Sequence, residues 1–275
     1  MGRRFGGGVH AMKRDTWDRA LVTGASTGIG KAIAQELARQ GTNLVLVARN
    51  ADRLERIAGS LDVAAEVLPA DLTDPAQLEA VARRCAATSE PIDLLVNNAG
   101  IWSFGAVTGP AGDVADEMVA LNVAAVVSLS RAAAGQMVDK GRGTILNISS
   151  IAGSQPLPFE AVYAASKVFV TFFGQGLGEE LRDTGVFVTT VTPGLTRSEL
   201  HARAGQQRQI SKAPGWLWME AEQVAHLALR AASRRRVVYV PGLGYKIASS
   251  LAEVMPRTVN RRMASLINKA RARLT

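Results

Sequence analysis

Arg19-Ala20-Leu21-Val22-Thr23-Gly24-Ala25-Ser26-Thr27-Gly28-Ile29-Gly30, running on through Lys31 to Gln40 and stopping at Gly41, is the stretch on which the reading of this chain turns. Arg19 to Val22 reads as a short buried strand, Thr23 to Gly30 as a glycine-rich turn and Lys31 to Gln40 as a helix. Such a unit makes a site for phosphate. Unpaired backbone N–H groups and the positive end of the helix dipole face the turn, and glycines let an anion approach the backbone without meeting a Cβ. The spacing is T-G-x-x-x-G-x-G. Taken alone, it also fits a plain tight turn.

The pattern of strand then helix continues. Asn43–Ala48, 64–69, 92–96, 144–148, 186–191 and 237–240 read as further apolar strands. Helices are expected over 51–60, 75–88 with Asp74 as cap, about 113–140 ending at Gly141, and 159–183. Continuous apolar strands without period-2 alternation, each followed by a helix, indicate a parallel sheet covered on both faces. The expected fold class is therefore α/β, a doubly wound, Rossmann-like, seven-stranded parallel sheet with helices on both faces and its ligand at the carboxyl ends of the strands. The polar motifs at 23–30, 71–74, 97–100, 149–150 and 193–196 all fall just after a strand, so they converge on one edge.

Composition sets outer bounds. The 275 residues suffice for one α/β domain. The single cysteine, Cys85, sits in a helical pattern and has no partner for an internal disulfide, which points to a reduced, cytoplasmic setting. The net charge of +8 is uneven. Residues 1–233 hold 22 basic and 23 acidic residues, whereas 234–275 hold ten basic residues and the lone acid Glu253, a net of +9. A basic tail on a neutral body suggests an anionic neighbour such as a lipid surface or an acidic carrier rather than nucleic acid. Residues 1–18 carry no signal-peptide core and read as a disordered leader, 19–241 as the domain, and 242–275 as a basic amphipathic helical extension. In the extension Val259, Met263, Leu266, Ile267, Ala270 and Leu274 share one helical face, with Arg257, Arg261 and Arg271 roughly opposite. An interfacial helix and a helix docked on its own fold both fit that pattern. No run of about 18 apolar residues is free of charge. His10, His201 and His226 show no ligand spacing, so no metal site is expected.

Four polar positions suggest chemistry. Tyr163 and Lys167 lie four apart on a helix, hence on one face. A surface pair has the same spacing. A free tyrosine, with a pKa near ~10, exchanges protons at neutral pH only if a cation steadies its phenolate, and Lys167 is placed to do so. Ser150 sits past the strand 144–148, though Ser149 beside it is an equal candidate by position. Asn122 is an amide in an apolar helix, where it needs partners; a kink or cap would also explain it.

Together, Gly24/Gly28/Gly30, the N-N-A-G at 97–100, Asn122, Ser150, Tyr163 with Lys167, and P-G-x-x-T at 193–196 resemble the classical short-chain dehydrogenase/reductase family, in order from about residue 18 to 241. The resemblance implies an NAD(P)-dependent oxidoreductase acting on a carbonyl/alcohol pair. It implies that Tyr163 is the general acid and base, that Lys167 lowers the tyrosine pKa and holds the nicotinamide ribose, that Ser150 polarises the substrate oxygen, and that Asn122 fixes a water in a proton relay. The cofactor would lie along Gly24, Ser26, Thr27, Gly28, Ile29 and Gly30, with Asp71 and Leu72 at the adenine, Asn98, Ala99 and Gly100 by the adenine ribose, and Pro193, Gly194 and Thr196 closing on the nicotinamide. It further implies a homodimer or homotetramer through the helices around 113–140 and 159–183. At the end of the second strand stand Ala48 and Arg49 rather than an acid; a guanidinium there favours NADP(H) over NAD(H). Trp102, Phe104, Leu157, Phe159, Leu195, Leu200, Trp216, Leu217, Trp218 and Met219 fall in segments that border the family's pocket, which suggests a lipophilic carbonyl or alcohol substrate; loop packing or a subunit contact would also explain them.

Overall fold

The computed structural model describes residues 17–109, 112–197 and 214–254, with 258, 259, 262 and 265. The mostly apolar runs become the strands: β1 (Arg19–Thr23), β2 (Asn43–Ala48), β3 (Ala65–Pro69), β4 (Leu94–Asn97), β5 (Gly143–Ile148) and β6 (Val186–Val191). A short pair, β7 (Thr196–Arg197) and β8 (Met219–Glu220), stands apart from the main sheet, and β9 (Val238–Tyr239) closes its far edge. The main sheet has seven strands in the order β3-β2-β1-β4-β5-β6-β9, all parallel. Val22 of β1 pairs with Leu46 on one side and with Val96 on the other. The chain thus steps outward in both directions from the β1/β4 junction, and the loops leaving those two strands part there to leave a crevice.

Helices cover both faces. α1 (Gly28–Arg39), α2 (Ala51–Ala58) and α7 (Ala221–Ala232) pack on one, with Ile33, Leu37 and Leu229 in a core that takes in Val22. On the other lie α3 (Pro75–Ala86) and α5 (Ala125–Lys140), whose Val81, Leu129 and Met137 pack against Leu21. Adjacent residues of one strand feeding two cores is what a sheet covered twice requires. The stretch 115–140 is long and apolar enough to cross a membrane by composition alone, but its inward side chains form this core. α6 (Ala161–Glu180) follows the 3-10 turn Ile151–Ser154, and α8 (Leu243–Val254) follows β9. Cys85 is buried in α3, which pushes its thiol up to about 12. Asp74 caps α3 by accepting from the amides of Ala76 and Gln77, and Gly141 ends α5 at φ 68°.

Besides element ends that shift by up to three residues, three departures from the sequence reading bear on the domain edge and the site. Trp17 and Asp18, assigned to a disordered leader, belong to the domain: Trp17 is buried, its indole donates to Thr144 Oγ1 at 3.0 Å, and Asp18 pairs with Arg142 at 2.6 Å. Residues 1–16 lie outside the described residues. α1 starts at Gly28, three residues before Lys31: the Lys31 amide already donates to Thr27 O at 3.2 Å, so the last glycines of the turn lie inside the first helical turn. The helix expected over 113–140 divides into α4 (Ala115–Val119), one π turn (Ala120–Ala124) and α5. Asn122 lies in that π turn.

Candidate active site

At the phosphate end, the glycines are fixed by neighbours rather than by flexibility. Gly24 and Gly28 have φ of 64° and 54°, a region open chiefly to glycine. A Cβ on Gly30 would stand 2.3 Å from Asn98 Nδ2 and 2.4 Å from the Gly24 carbonyl oxygen. Asn98 is what draws these segments together: its amide donates to Thr23 O at 2.9 Å, while Thr23 Oγ1 accepts from the Asn98 and Ala99 amides and donates to Val96 O. Thr23 is therefore a framework residue the sequence reading quoted but did not single out. Thr27 precedes α1 without a side-chain cap, so the first-turn amides face the cavity with no hydroxyl in their way.

Beyond the glycines, Arg49 projects from the end of β2 between two carboxylates, Asp71 at 3.9 Å and Glu117 at 3.8 Å. Burial pushes the Asp71 carboxyl up, but hydrogen bonds from the Thr73 hydroxyl and amide, with Arg49 nearby, bring it below its ordinary value. Glu117 had no signal in the sequence, since only the turn from α4 brings it to β2.

At the other end, the two adjacent serines separate. Both border the cavity, but Ser149 Oγ turns into α6, donating to Lys167 O at 2.8 Å beside Thr171 Oγ1, whereas Ser150 Oγ only accepts from the Ala152 amide at 3.1 Å. Tyr163 lines the same cavity, with its hydroxyl on the side of Ser150. Burial pushes the phenol up to about 12 instead of the lowering by Lys167 that the resemblance implied; the nearby Ser150 hydroxyl draws it down and the Glu160 carboxylate adds to the rise. Burial acts oppositely on Lys167, pulling its ammonium down to about 8. Lys167 Nζ donates to Ile148 O at 3.1 Å and stands 5.7 Å from the centre of the Tyr163 ring. Asn122 accepts from the Ile101 amide and donates to Ile101 O and Ser166 Oγ. A Cβ on Gly100 would approach Asn122 Oδ1 to 3.1 Å and Lys167 Nζ to 3.5 Å. The π turn thus locks against the strand-end loop immediately behind the Tyr163–Lys167 face.

Both ends open into one cavity of about 1680 Å³, above the ~300–1,000 Å³ of an ordinary small-molecule pocket. Every position expected to touch a dinucleotide lines it except Gly30, which is buried behind the turn; Asn122 likewise stands behind the wall. The uncapped helix start, the glycine cradle and a volume ample for two molecules fit a dinucleotide with a substrate beside it. Of the expected apolar wall, Trp102, Phe104, Leu157, Leu195 and Leu217 line the cavity, while Phe159 and Trp218 pack behind Trp102 and Phe104. Met219 belongs to β8, Trp216 is 80% exposed, and Leu200 lies outside the described residues. Two further lining residues carried no sequence signal. Glu160 accepts from the Trp102 indole at 2.9 Å. Tyr245, on α8, donates to Leu217 O at 2.5 Å and accepts from the Leu195 amide at 3.1 Å. Among the described residues no group of three or more His, Cys, Asp and Glu gathers as for a metal, and His226 faces Glu36.

A parallel sheet with a glycine cradle at its switch point, and a Ser–Tyr–Lys cluster across the same crevice, defines a nucleotide-dependent oxidoreductase fold. Residues 18–209 match the short chain dehydrogenase family. An uncharacterized oxidoreductase of Staphylococcus epidermidis is 36% identical over 176 residues, 64% of this chain and 76% of that protein; one of Staphylococcus aureus is 33% identical over 184 residues, 66% and 80%. Among solved structures, a short-chain dehydrogenase from Sphingobium yanoikuyae in complex with NADPH is 36% identical, covers 86% of this chain and 96% of its own, and superposes with a TM-score of 0.76. The bulky-bulky ketone specific alcohol dehydrogenase of Comamonas testosteroni is 31% identical over 88% and 96%, with a TM-score of 0.72. The chain belongs to the short-chain dehydrogenase/reductase family of NAD(P)-binding oxidoreductases.

Proposed function

We propose that this protein is an NADP(H)-dependent reductase/dehydrogenase that interconverts a carbonyl and a secondary alcohol on a lipophilic substrate. The observation that carries the reading is the Ser150–Tyr163–Lys167 cluster, buried at one end of a cavity whose other end is an uncapped, glycine-lined helix start. When bound, the nicotinamide gives or takes the hydride. Tyr163 gives its hydroxyl proton to the carbonyl oxygen in reduction and takes it back in oxidation. A phenol held near about 12 is fully protonated at neutral pH, so it stands loaded as the donor. Ser150 donates to the same oxygen, and Lys167 supplies the cation that steadies the tyrosinate once the proton has left. Asn122 holds the Ile101 backbone and keeps Gly100 against Lys167, a positioning role compatible with a water relay.

Arg49 at the cavity rim, and the NADPH held by the Sphingobium relative, support NADP(H). Asp71 and Glu117 flanking that guanidinium favour the second reading, an NAD-dependent dehydrogenase of hydroxysteroid type, because they would repel a 2′-phosphate. The apolar wall from Trp102 to Leu217, and the bulky ketones named for the Comamonas relative, support a lipophilic substrate. A cytoplasmic homodimer or homotetramer through α5 and α6 accords with the reduced Cys85 and with the exposed Val138 on α5 and Phe169 on α6. The test is titration with NADPH and NADH by nicotinamide fluorescence, followed by turnover of aryl and steroid ketones by wild type and Tyr163→Phe. Cofactor binding retained with turnover lost in the variant is expected. Turnover that survives in Tyr163→Phe overturns the proton-donor assignment, and binding without turnover of any ketone by wild type points to a nucleotide-binding regulator instead.

A further inference from the structure

α8 is amphipathic the wrong way round for a helix of a free-standing domain. Among its described side chains, those that hydrogen-bond it to the fold are hydroxyls. Tyr245 bonds Leu217 O and the Leu195 amide, and Ser249, four residues on, is buried against Ser154 Oγ at 3.1 Å. Its outward face is apolar: Leu243, Ile247 and Leu251, spaced by four, are 75%, 54% and 60% exposed. Leaving three large aliphatic groups in water on one helix face needs a reason.

Charge says what covers them. Beside α8, between α6, α7 and β9, lies a second groove of about 1670 Å³ whose rim carries Arg230, Arg234, Arg236 and Lys246. Among the described residues no carboxylate lines it, and none of these four cations makes an ion pair. Residues 234–275 bring ten basic residues against the single acid Glu253, a net of +9. A second copy of the chain laid on this face would set one such cluster against another. An anionic surface with an apolar interior satisfies both features at once.

We infer that α8 is an interfacial helix that seats Leu243, Ile247 and Leu251 in the headgroup boundary of an anionic phospholipid bilayer while Arg230, Arg234, Arg236 and Lys246 meet lipid phosphates. The inner side of the same helix touches the cavity through Tyr245, at the segments that carry Leu195 and Leu217. The catalytic cavity therefore opens beside the membrane, where a lipophilic ketone concentrates. That last consequence rests on the proposed substrate class; the docking does not.

The experiment is flotation of the full chain, without cofactor, with vesicles of phosphatidylcholine alone and of phosphatidylcholine with phosphatidylglycerol. Binding to the anionic vesicles and not the neutral ones, released by salt, is expected. Leu243→Gln/Ile247→Gln/Leu251→Gln lowers it by at least about tenfold, and Arg234→Gln/Arg236→Gln by about fivefold per cation removed. The arginine variant, all on the surface, keeps the test open if the triple variant misfolds. Turnover of a water-soluble ketone without vesicles stays unchanged in both, which separates this inference from the enzyme reading. Absence of wild-type binding to anionic vesicles overturns the proposal. So does a triple variant that still floats, or one whose only change is a smaller assembly on gel filtration, since a second copy would then be the cover.

Discussion

Lys167→Met tests the electrostatics of the site independently of any substrate. The buried ammonium titrates at about 8 against 10.5 for an ordinary lysine. At 1.36 kcal/mol per unit, that gap is a folding penalty of about 3 kcal/mol while the group is charged in both states. Below the folded value both states hold the proton and the penalty is complete. As pH rises from about 8 toward 10.5 the unfolded chain stays protonated while the folded one does not. The unfolded state then binds more protons, so stability rises with pH until the penalty is gone. Methionine removes the charge but orphans Ile148 O, now bonded at 3.1 Å, at a cost of ~1–3 kcal/mol. At pH 7 the two effects nearly cancel, so the discriminating quantity is the pH dependence of the difference. Buried Tyr163 and Cys85, each pushed up to about 12, lose stability as pH climbs past their unfolded values, but they do so in both proteins and largely drop out of the comparison. Thermal unfolding by circular dichroism between pH 7 and 10 should show wild type gaining on the variant by roughly 5–10 °C, taking ~2–4 °C per kcal/mol. Turnover in the variant should fall at least about 100-fold. A wild-type-minus-variant difference that stays flat across this range refutes the claim that burial depresses Lys167.

Three other substitutions probe the glycine cradle, the cavity rim and the pocket wall. Gly30→Ala puts a Cβ 2.3 Å from Asn98 Nδ2 and 2.4 Å from a backbone oxygen; a loss of ~1–3 kcal/mol in chemical denaturation, with weaker binding of both NADPH and NADH, is expected, and native stability would show that the turn has slack. Arg49→Asp should cost NADPH about 10–100-fold in affinity, the worth of one charge-assisted contact, while sparing NADH; equal losses would show that Arg49 does not read the phosphate. Tyr245→Phe removes two hydrogen bonds and little volume, so the KM for a ketone substrate should rise about fivefold or more, as for ~1 kcal/mol per bond, with kcat nearly unchanged; a drop in kcat alone would place Tyr245 in the chemistry instead of the pocket wall.

Much of the framework was legible from local pattern because its causes are local. A strand buried on both faces must be largely apolar and β-branched, and a cap must lie within three residues of the amides it satisfies, so β2, β6 and the Asp74 cap fall where the pattern put them. The glycine turn and the Tyr163–Lys167 face are likewise short-range facts. What sequence by itself determined, then, is the sheet, its carboxyl edge and the residue types gathered there. Only the tertiary structure decided which of those groups face the cavity and at what charge. Ser149 and Ser150 are equivalent until α6 takes up one of them. Asn122 needs the π turn and Ile101 to find its partners. Arg49 meets Glu117 from α4, Trp17 meets Thr144 of β5, and Tyr245 reaches Leu195 from α8. Each of these contacts joins residues far apart in the chain, and burial, which sets Lys167 near about 8 and Tyr163 near about 12, is a property of the packed neighbourhood that no single segment carries.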